Sequence, residues 1–187
     1  MTTKRLLFIG DSNTGKSCII HKFINNEFNH HLQPTICLDF KIKKIENNIK
    51  FHIWEIVSIK DCLIYLKNTN GIFITFDLTD RKSFNNVPEY IKYIKNEIKE
   101  NLPPIFIVGT KNDLKDKRIV SFEEADIFSK SENFRYIEVS SKEEDESVSK
   151  LFNEMIIFQT NNINTTIIDD EKQKNKRKKR KKRCIIS

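Results

Sequence analysis

Apolar residues along the chain follow two patterns that alternate. Short, mainly apolar runs, typical of strands buried on both faces, lie at residues 6–9, 51–54, 72–76, 105–108 and 136–139. Between them, apolar positions recur every three or four residues at 87–98 and at 148–156, which predicts two amphipathic helices. Residues 40–45 and 49–54 flank a short stretch of turn-forming residues and predict a hairpin.

The order of these elements predicts the fold class. Strands that alternate with helices favour an α/β fold, a doubly wound, mostly parallel sheet with one hairpin and helices on both faces. Ligands of such sheets bind where strands end, so residues that follow strands are the candidates for function. No periodic apolar residues follow Phe158. We therefore expect a folded domain over residues 1–159 and a disordered tail over residues 160–187.

Composition excludes several classes of protein. A chain of 187 residues, 38% hydrophobic and 32% charged, fits one soluble domain with a modest tail. Because no run approaches the ~20 apolar residues of a spanning helix and the start lacks a signal-peptide pattern, we expect neither a transmembrane nor a secreted protein. The four cysteines lack C-x-x-C spacing, which argues against a disulfide framework or zinc site and favours a reducing cytosol.

The net charge of +7 is unevenly distributed. Ten of the 33 basic residues lie between Lys172 and Arg183, where there is no acid. The rest of the chain keeps 23 basic and 26 acidic residues, a net charge of −3. The folded part is thus mildly acidic, and the basic balance that elsewhere indicates nucleic acid or an anionic membrane belongs to the tail.

A loop with two glycines follows the first predicted strand and precedes a stretch compatible with a helix. Residues 10–17 fit the phosphate-binding pattern G-x-x-x-x-G-K-S in that context. Backbone N–H groups there can point at phosphate oxygens, to which the helix N-terminus adds positive partial charge. We expect Lys16 to reach the β- and γ-phosphates and the Ser17 hydroxyl to bind Mg²⁺. A glycine turn that only caps a helix is the alternative. The predicted phosphate-binding residues are Gly10, Asp11, Ser12, Asn13, Thr14, Gly15, Lys16, Ser17 and Cys18.

Polar segments also follow two later strands, at residues 109–113 and 140–142. Together with the phosphate loop they resemble the guanine-reading motifs of Ras-superfamily small GTPases. The Asp113 carboxylate can accept hydrogen bonds from the ring N–H and the exocyclic amine of guanine, which adenine cannot offer. Thr110 replaces the usual asparagine, as in Rho-type members. Solvated turns are the alternative. The resemblance implies that guanine is bound by Phe28, Thr110, Lys111, Asp113, Ser140, Ser141 and Lys142.

Further segments are similar to Rab GTPases, namely residues 10–18, 34–42, 76–80 and 83–87, within a resemblance that spans residues 4–158. It implies a P-loop GTPase fold that binds GTP or GDP with Mg²⁺. By this alignment Thr35 binds Mg²⁺ and meets the γ-phosphate, and Phe28 covers the edge of guanine. Taken alone, Thr35 would be interpreted as an ordinary strand residue and Phe28 as an ordinary core residue.

The resemblance also implies an effector segment (residues 32–40), which has a cysteine where Rab proteins have glycine, so its partner choice is open. Its residues are Leu32, Gln33, Pro34, Thr35, Ile36, Cys37, Leu38, Asp39 and Phe40.

The chain departs from the family after Trp54, where the Asp-Thr-Ala-Gly-Gln motif is expected. Glu55 keeps a carboxylate that can hold Mg²⁺ through water, but it is one methylene longer. Ser58 stands in place of the glycine that meets the γ-phosphate, and Ile59 stands in place of the glutamine that orients the attacking water. We name no catalytic residue, and we expect slow GTP hydrolysis.

The last four residues, Cys184 to Ser187, form a C-a-a-X prenylation box, and the terminal serine favours farnesyl. A single lipid attaches a protein only marginally, and the preceding basic run supplies the second signal. Rab proteins usually end with two prenylatable cysteines, so this ending is more similar to some Ras proteins. We expect an anchor on the cytoplasmic face of a membrane, with the plasma membrane as its target.

These features favour a membrane-anchored, monomeric Rab-like switch in vesicle traffic. Its implied partners are effector proteins, an exchange factor, a prenyltransferase and an anionic membrane. Two alternatives remain. One is a docking module that binds GTP without hydrolysing it, and the other is a nucleic-acid-binding protein that uses the basic tail. An acidic folded part argues against specific nucleic-acid binding.

Overall fold

A computed structural model describes residues 2–29, 31–36, 38–45, 48–57 and 63–158. Its strands are β1 (Thr2–Gly10), β2 (Leu38–Ile45), β3 (Ile49–Ile56), β4 (Gly71–Asp77), β5 (Ile105–Thr110) and β6 (Arg135–Val139). Its helices are α1 (Lys16–Asn25), α2 (Leu63–Leu66), α3 (Arg81–Asn85), α4 (Val87–Glu97), α5 (Phe122–Ser131) and α6 (residues 147–158). A 3₁₀ turn covers Lys115–Lys117.

The six strands form one sheet in the order β2, β3, β1, β4, β5, β6. Among the described strands, only β2 and β3 are antiparallel, and they form the predicted hairpin. Each other neighbouring pair is parallel, so β1, β3, β4, β5 and β6 end at the same edge. The doubly wound α/β fold predicted from the sequence is therefore confirmed. The predicted boundary between domain and tail lies beyond Phe158, outside the described residues.

Side chains on the two faces of the sheet form two separate cores, because neighbouring residues of a strand point to opposite sides. Leu7 packs with α4 and α5 on one face, and Phe8 packs with α1 and α6 on the other. The Phe8 face is rich in aromatic rings, and the Phe23 and Phe152 rings stack with centroids 3.5 Å apart. Burial on both faces explains why the central strands read as continuous apolar runs.

Helices α2, α3 and α5 lack a long apolar repeat in the sequence. Helix α5 begins at the Ser121 cap, whose side chain accepts a hydrogen bond from the Glu124 N–H, but its buried residues are only Ala125 and Ser129. Helix α3 begins at the Asp80 cap, which accepts from the Lys82 N–H. Within the described ranges, no helix has the length and apolarity needed to cross a bilayer.

Candidate nucleotide site

The phosphate loop lies at the carboxyl end of β1, where the chain turns into α1. Gly10 and Gly15 have positive φ angles of 145° and 83°. A Cβ atom on Gly10 would overlap the Thr75 carbonyl of the neighbouring strand β4, so this approach requires glycine. Asn13 also has a positive φ, 64°, a conformation that asparagine tolerates better than most residues. The loop therefore folds back over the end of the sheet, as the sequence predicts.

Hydrogen bonds made by buried threonine hydroxyls of β4 and β5 hold this loop in place. Thr110 Oγ1 donates to the Thr14 carbonyl at 2.8 Å, and the Thr14 and Thr75 hydroxyls are 2.8 Å apart. All three residues are at most 2% exposed. Thr110 thus ties β5, the strand that precedes residues predicted to bind guanine, to the phosphate loop. Sequence reasoning assigned Thr110 to guanine and assigned no role to Thr75.

Lys16 is the buried cation of the loop. Its ammonium donates to the carbonyls of Gly10 at 2.9 Å and Asp11 at 2.7 Å, and the residue is 3% exposed. Burial lowers the pKa of Lys16, and the nearby Glu55 and Asp11 carboxylates oppose that shift. A cation held by two neutral carbonyls beside a cavity is suited to an anionic ligand.

Three oxygen-bearing side chains meet next to Lys16. Ser17 Oγ donates to Glu55 Oε1 at 2.7 Å and lies 3.3 Å from Thr35 Oγ1. Glu55 lies in β3 and is 3% exposed. Hydroxyl and carboxylate oxygens are the ligands that Mg²⁺ prefers, commonly with several waters. These residues fit a magnesium ion, and the longer Glu55 side chain reaches Ser17.

Two adjoining cavities occupy this edge of the sheet. The first, called the phosphate cavity below, has a volume of about 250 Å³ and is lined by residues of the phosphate loop, by residues 32–35 of the effector segment and by Glu55 and Val57. A second cavity of about 240 Å³ is lined by Phe28, Thr110, Asp113, Leu114, Ser141 and Lys142. Gly15, Cys18 and Lys111 line both, so the two cavities form one continuous site. Burial raises the pKa of the Cys18 thiol.

The second cavity brings together the residues predicted to read guanine, except Ser140, which is fully buried behind it. Ser140 Oγ donates to Asp113 Oδ1 at 2.8 Å and accepts from the backbone N–H groups of Lys142 and Glu143. This serine orients the carboxylate of Asp113. The sequence pattern predicted that Ser140 belongs to the site, and its contacts place it behind Asp113.

Lys111 has a partner that the sequence pattern did not reveal. Its ammonium lies 2.5 Å from Asp77 Oδ2 at the end of β4, and the other Asp77 oxygen accepts from the N–H and hydroxyl of Thr79. The Lys111 side chain therefore runs between the two cavities with its charge paired. The residues are 34 positions apart, and only the adjacency of β4 and β5 joins them.

A second hydrogen-bond network lies next to residues 111–113, which follow β5. The Arg118 guanidinium binds both carboxylate oxygens of Glu138, at 2.8 and 2.5 Å, and donates to Asn112 Oδ1 at 2.7 Å. Tyr136 donates its hydroxyl to the same carboxylate at 2.6 Å, and burial is the main cause that raises the pKa of this tyrosine. Asn112 is thereby fixed next to Asp113, a support that sequence reasoning missed.

The effector segment begins at the phosphate cavity and ends in β2. Ile36 is 90% exposed, and the Phe40 ring packs on Trp54 with centroids 4.2 Å apart. Trp54 in turn packs on Tyr65 at 4.7 Å. Four predicted functional residues lie outside the described part of the chain, namely Cys37, Ser58, Ile59 and Cys184.

Comparison with known proteins agrees with this geometry. The Ras family model matches residues 5–160. The Ras-related protein RABD2b of Arabidopsis thaliana is 35% identical over 74% of the chain and 71% of its own length. The Ras-related protein Rab-13 of Mesocricetus auratus is 32% identical over 82% of the chain and 80% of its own length. The GTP-binding protein ypt1 of Schizosaccharomyces pombe is 34% identical, over 74% and 71%.

Proposed function

Because the chain belongs to the Rab family of Ras-superfamily small GTPases, whose members bind GTP or GDP with Mg²⁺, we propose that it is a membrane-anchored guanine-nucleotide switch in vesicle traffic. One observation carries this proposal. A buried lysine in a phosphate loop and a carboxylate suited to guanine line the two halves of one continuous site. This arrangement suits a ligand with phosphates at one end and a base at the other.

Each half of the site has its own task. Lys16 and the backbone N–H groups of the loop would bind the phosphates. Ser17 and Thr35 would supply hydroxyl ligands for Mg²⁺ and Glu55 would hold it through water, and the ion would supply positive charge beside the phosphates. Asp113, oriented by Ser140, accepts hydrogen bonds from guanine. The Phe28, Lys111, Ser141 and Lys142 side chains enclose the base.

We further propose that exposed apolar residues at the end of the phosphate cavity contact effector proteins. Ile36 and Leu38 are exposed, and the half-buried rings of Phe40, Trp54 and Tyr65 pack in a row. Because residues 32–35 line the phosphate cavity, a γ-phosphate there would bias the adjoining surface. An exchange factor would act on the same segments.

Hydrolysis of GTP by the purified chain is expected to be at least about tenfold slower than by a Rab protein that has the glutamine, because Ile59 cannot orient the attacking water. Single-turnover hydrolysis by GTP-loaded protein measures the rate. Ile59→Gln should raise it. The matched control is Ile64→Gln, which makes the same change at a side chain that is 81% exposed.

A wild-type rate equal to that of an intact Rab protein would contradict slow hydrolysis. GTP that stays bound, with equal protease protection of residues 28–65 in the GTP and GDP states, would instead favour the docking module.

Replacement of Cys184 by serine is expected to move the protein from membranes to the cytosol, with the membrane-bound fraction falling to about a tenth or less, because the basic run alone lacks a lipid. Fractionation of cells that express the full chain measures this. Cys62→Ser, which preserves the C-terminal box, is the control. Retention of the Cys184→Ser variant on membranes would show that prenylation does not anchor the protein.

A further inference from the structure

The phosphate loop contains an acidic residue, Asp11, at its second position. A carboxylate in this place is unfavourable for binding a nucleotide, because phosphates are negative and like charges repel at short range. The carboxylate also lies close enough to the Lys16 ammonium to oppose the loss of its charge. The orientation of the Asp11 side chain therefore affects the electrostatic potential at the proposed phosphate site.

Two donors from another part of the chain bind this carboxylate. Asn86 Nδ2 donates to Asp11 Oδ2 at 2.7 Å, and the Tyr90 hydroxyl donates to Asp11 Oδ1 at 2.8 Å. Asn86 precedes the first turn of α4, and Tyr90 lies one turn further along the same helix. The start of a helix carries positive partial charge, which also favours a carboxylate there.

This contact reaches the phosphate site through the backbone. The Asp11 carbonyl accepts from the Lys16 ammonium at 2.7 Å and from Thr14 Oγ1 at 2.9 Å. A change in the position of Asp11 is therefore passed to Lys16. Asp11 thus makes contacts on two sides. Its side-chain carboxylate is bound by Asn86 and Tyr90, and its backbone carbonyl binds the Lys16 ammonium.

We propose that Asn86 and Tyr90 are positioning residues for nucleotide binding, which hold the Asp11 carboxylate against α4 and so keep its charge away from the bound phosphates. This inference rests on the proposed function of the loop. Hydrogen bonds to a charged acceptor are stronger than neutral ones, so both donors resist the release of the carboxylate toward the cavity. Burial of the Tyr90 hydroxyl and its bond to Asp11 both raise the pKa of Tyr90, which therefore remains a donor at neutral pH.

The test measures how fast fluorescent GDP leaves the full chain in excess Mg²⁺. Tyr90→Phe keeps the ring and removes only the donor, and we expect release to become about tenfold faster. Asn86→Ala removes the other donor, and since the Asn86 side chain makes no capping hydrogen bond, it should have a similar effect without loss of the helix. Tyr93→Phe, at the other tyrosine of α4, is the control.

A double-mutant cycle distinguishes positioning of the Asp11 charge by Tyr90 from an effect of Tyr90 on packing alone. In an Asp11→Asn background the carboxylate charge is absent, and Tyr90→Phe is then expected to change release by less than about threefold. An equal acceleration in both backgrounds would show that Tyr90 acts only through packing, and no acceleration in either would also overturn the inference. Failure of the wild-type chain to bind GDP would instead refute the proposed function itself.

Discussion

Replacing Asp113 by asparagine is expected to lower the affinity of the chain for GDP by about 100-fold or more, because the amide can no longer accept both hydrogen bonds from the N–H groups of guanine. The change is almost isosteric, and Ser140 Oγ can still donate to the remaining oxygen as it does to Asp113 Oδ1. The loss would therefore report base recognition rather than a collapse of the second cavity.

The same substitution is also expected to increase the affinity for a different nucleotide, a gain that unfolding could not produce. Xanthine carries a carbonyl where guanine carries the amine, so the new amide can donate to it while it accepts from the ring N–H. Xanthosine diphosphate should bind the Asp113→Asn variant more tightly than GDP does. Titration with both nucleotides measures this, with Asp116→Asn in the exposed 3₁₀ turn as the control. Unchanged GDP affinity in the Asp113 variant would remove Asp113 from the base site.

Replacing Lys16 by alanine is expected to lower the affinity for both GDP and GTP by about 100-fold or more, since two charge-assisted hydrogen bonds to phosphate contribute about 3 kcal/mol together. Both nucleotides should be affected, because the proposed contact of the lysine is with the β-phosphate, which they share. Equilibrium titration measures the loss. Lys22→Ala, on the same helix, is the control.

The fold should survive the loss of Lys16. Burial lowers the pKa of this lysine, so the folded state gains by losing a desolvated charge, whereas the carbonyls of Gly10 and Asp11 lose their donor. Because these effects oppose each other, we expect the melting temperature without nucleotide to shift by less than about 5 °C. A variant that binds GDP as the wild type does would contradict the assignment of the phosphate loop.

The sequence alone predicted the parts of the fold whose signals are local. Strands buried on both faces show continuous apolar runs, and the phosphate loop concentrates its residues within positions 10–18, so both could be recognised without tertiary information. Helix α5 was missed because it buries only Ala125 and Ser129. Small buried residues give no apolar stripe from which a helix could be predicted.

The contacts that hold the site residues in place could not be predicted in this way, since the residues that make each contact are far apart in the chain. Tyr90 lies 79 positions from Asp11, and Thr110 lies 96 positions from the Thr14 carbonyl to which it donates. These contacts depend on the strand order, which places β4 beside β1 and β5 beside β4, and on the packing of α4 against the sheet. A motif shows which residues could face a ligand, whereas the packing decides what holds them.

Equilibrium binding of GDP and ADP to the nucleotide-free full chain, with Mg²⁺ in excess, tests the central claim most directly. The Asp113 carboxylate predicts GDP binding at least about 1,000-fold tighter than ADP binding, because the adenine ring cannot satisfy it. Equal affinities for the two nucleotides, or binding of neither, would contradict the account of the site as a guanine-nucleotide switch.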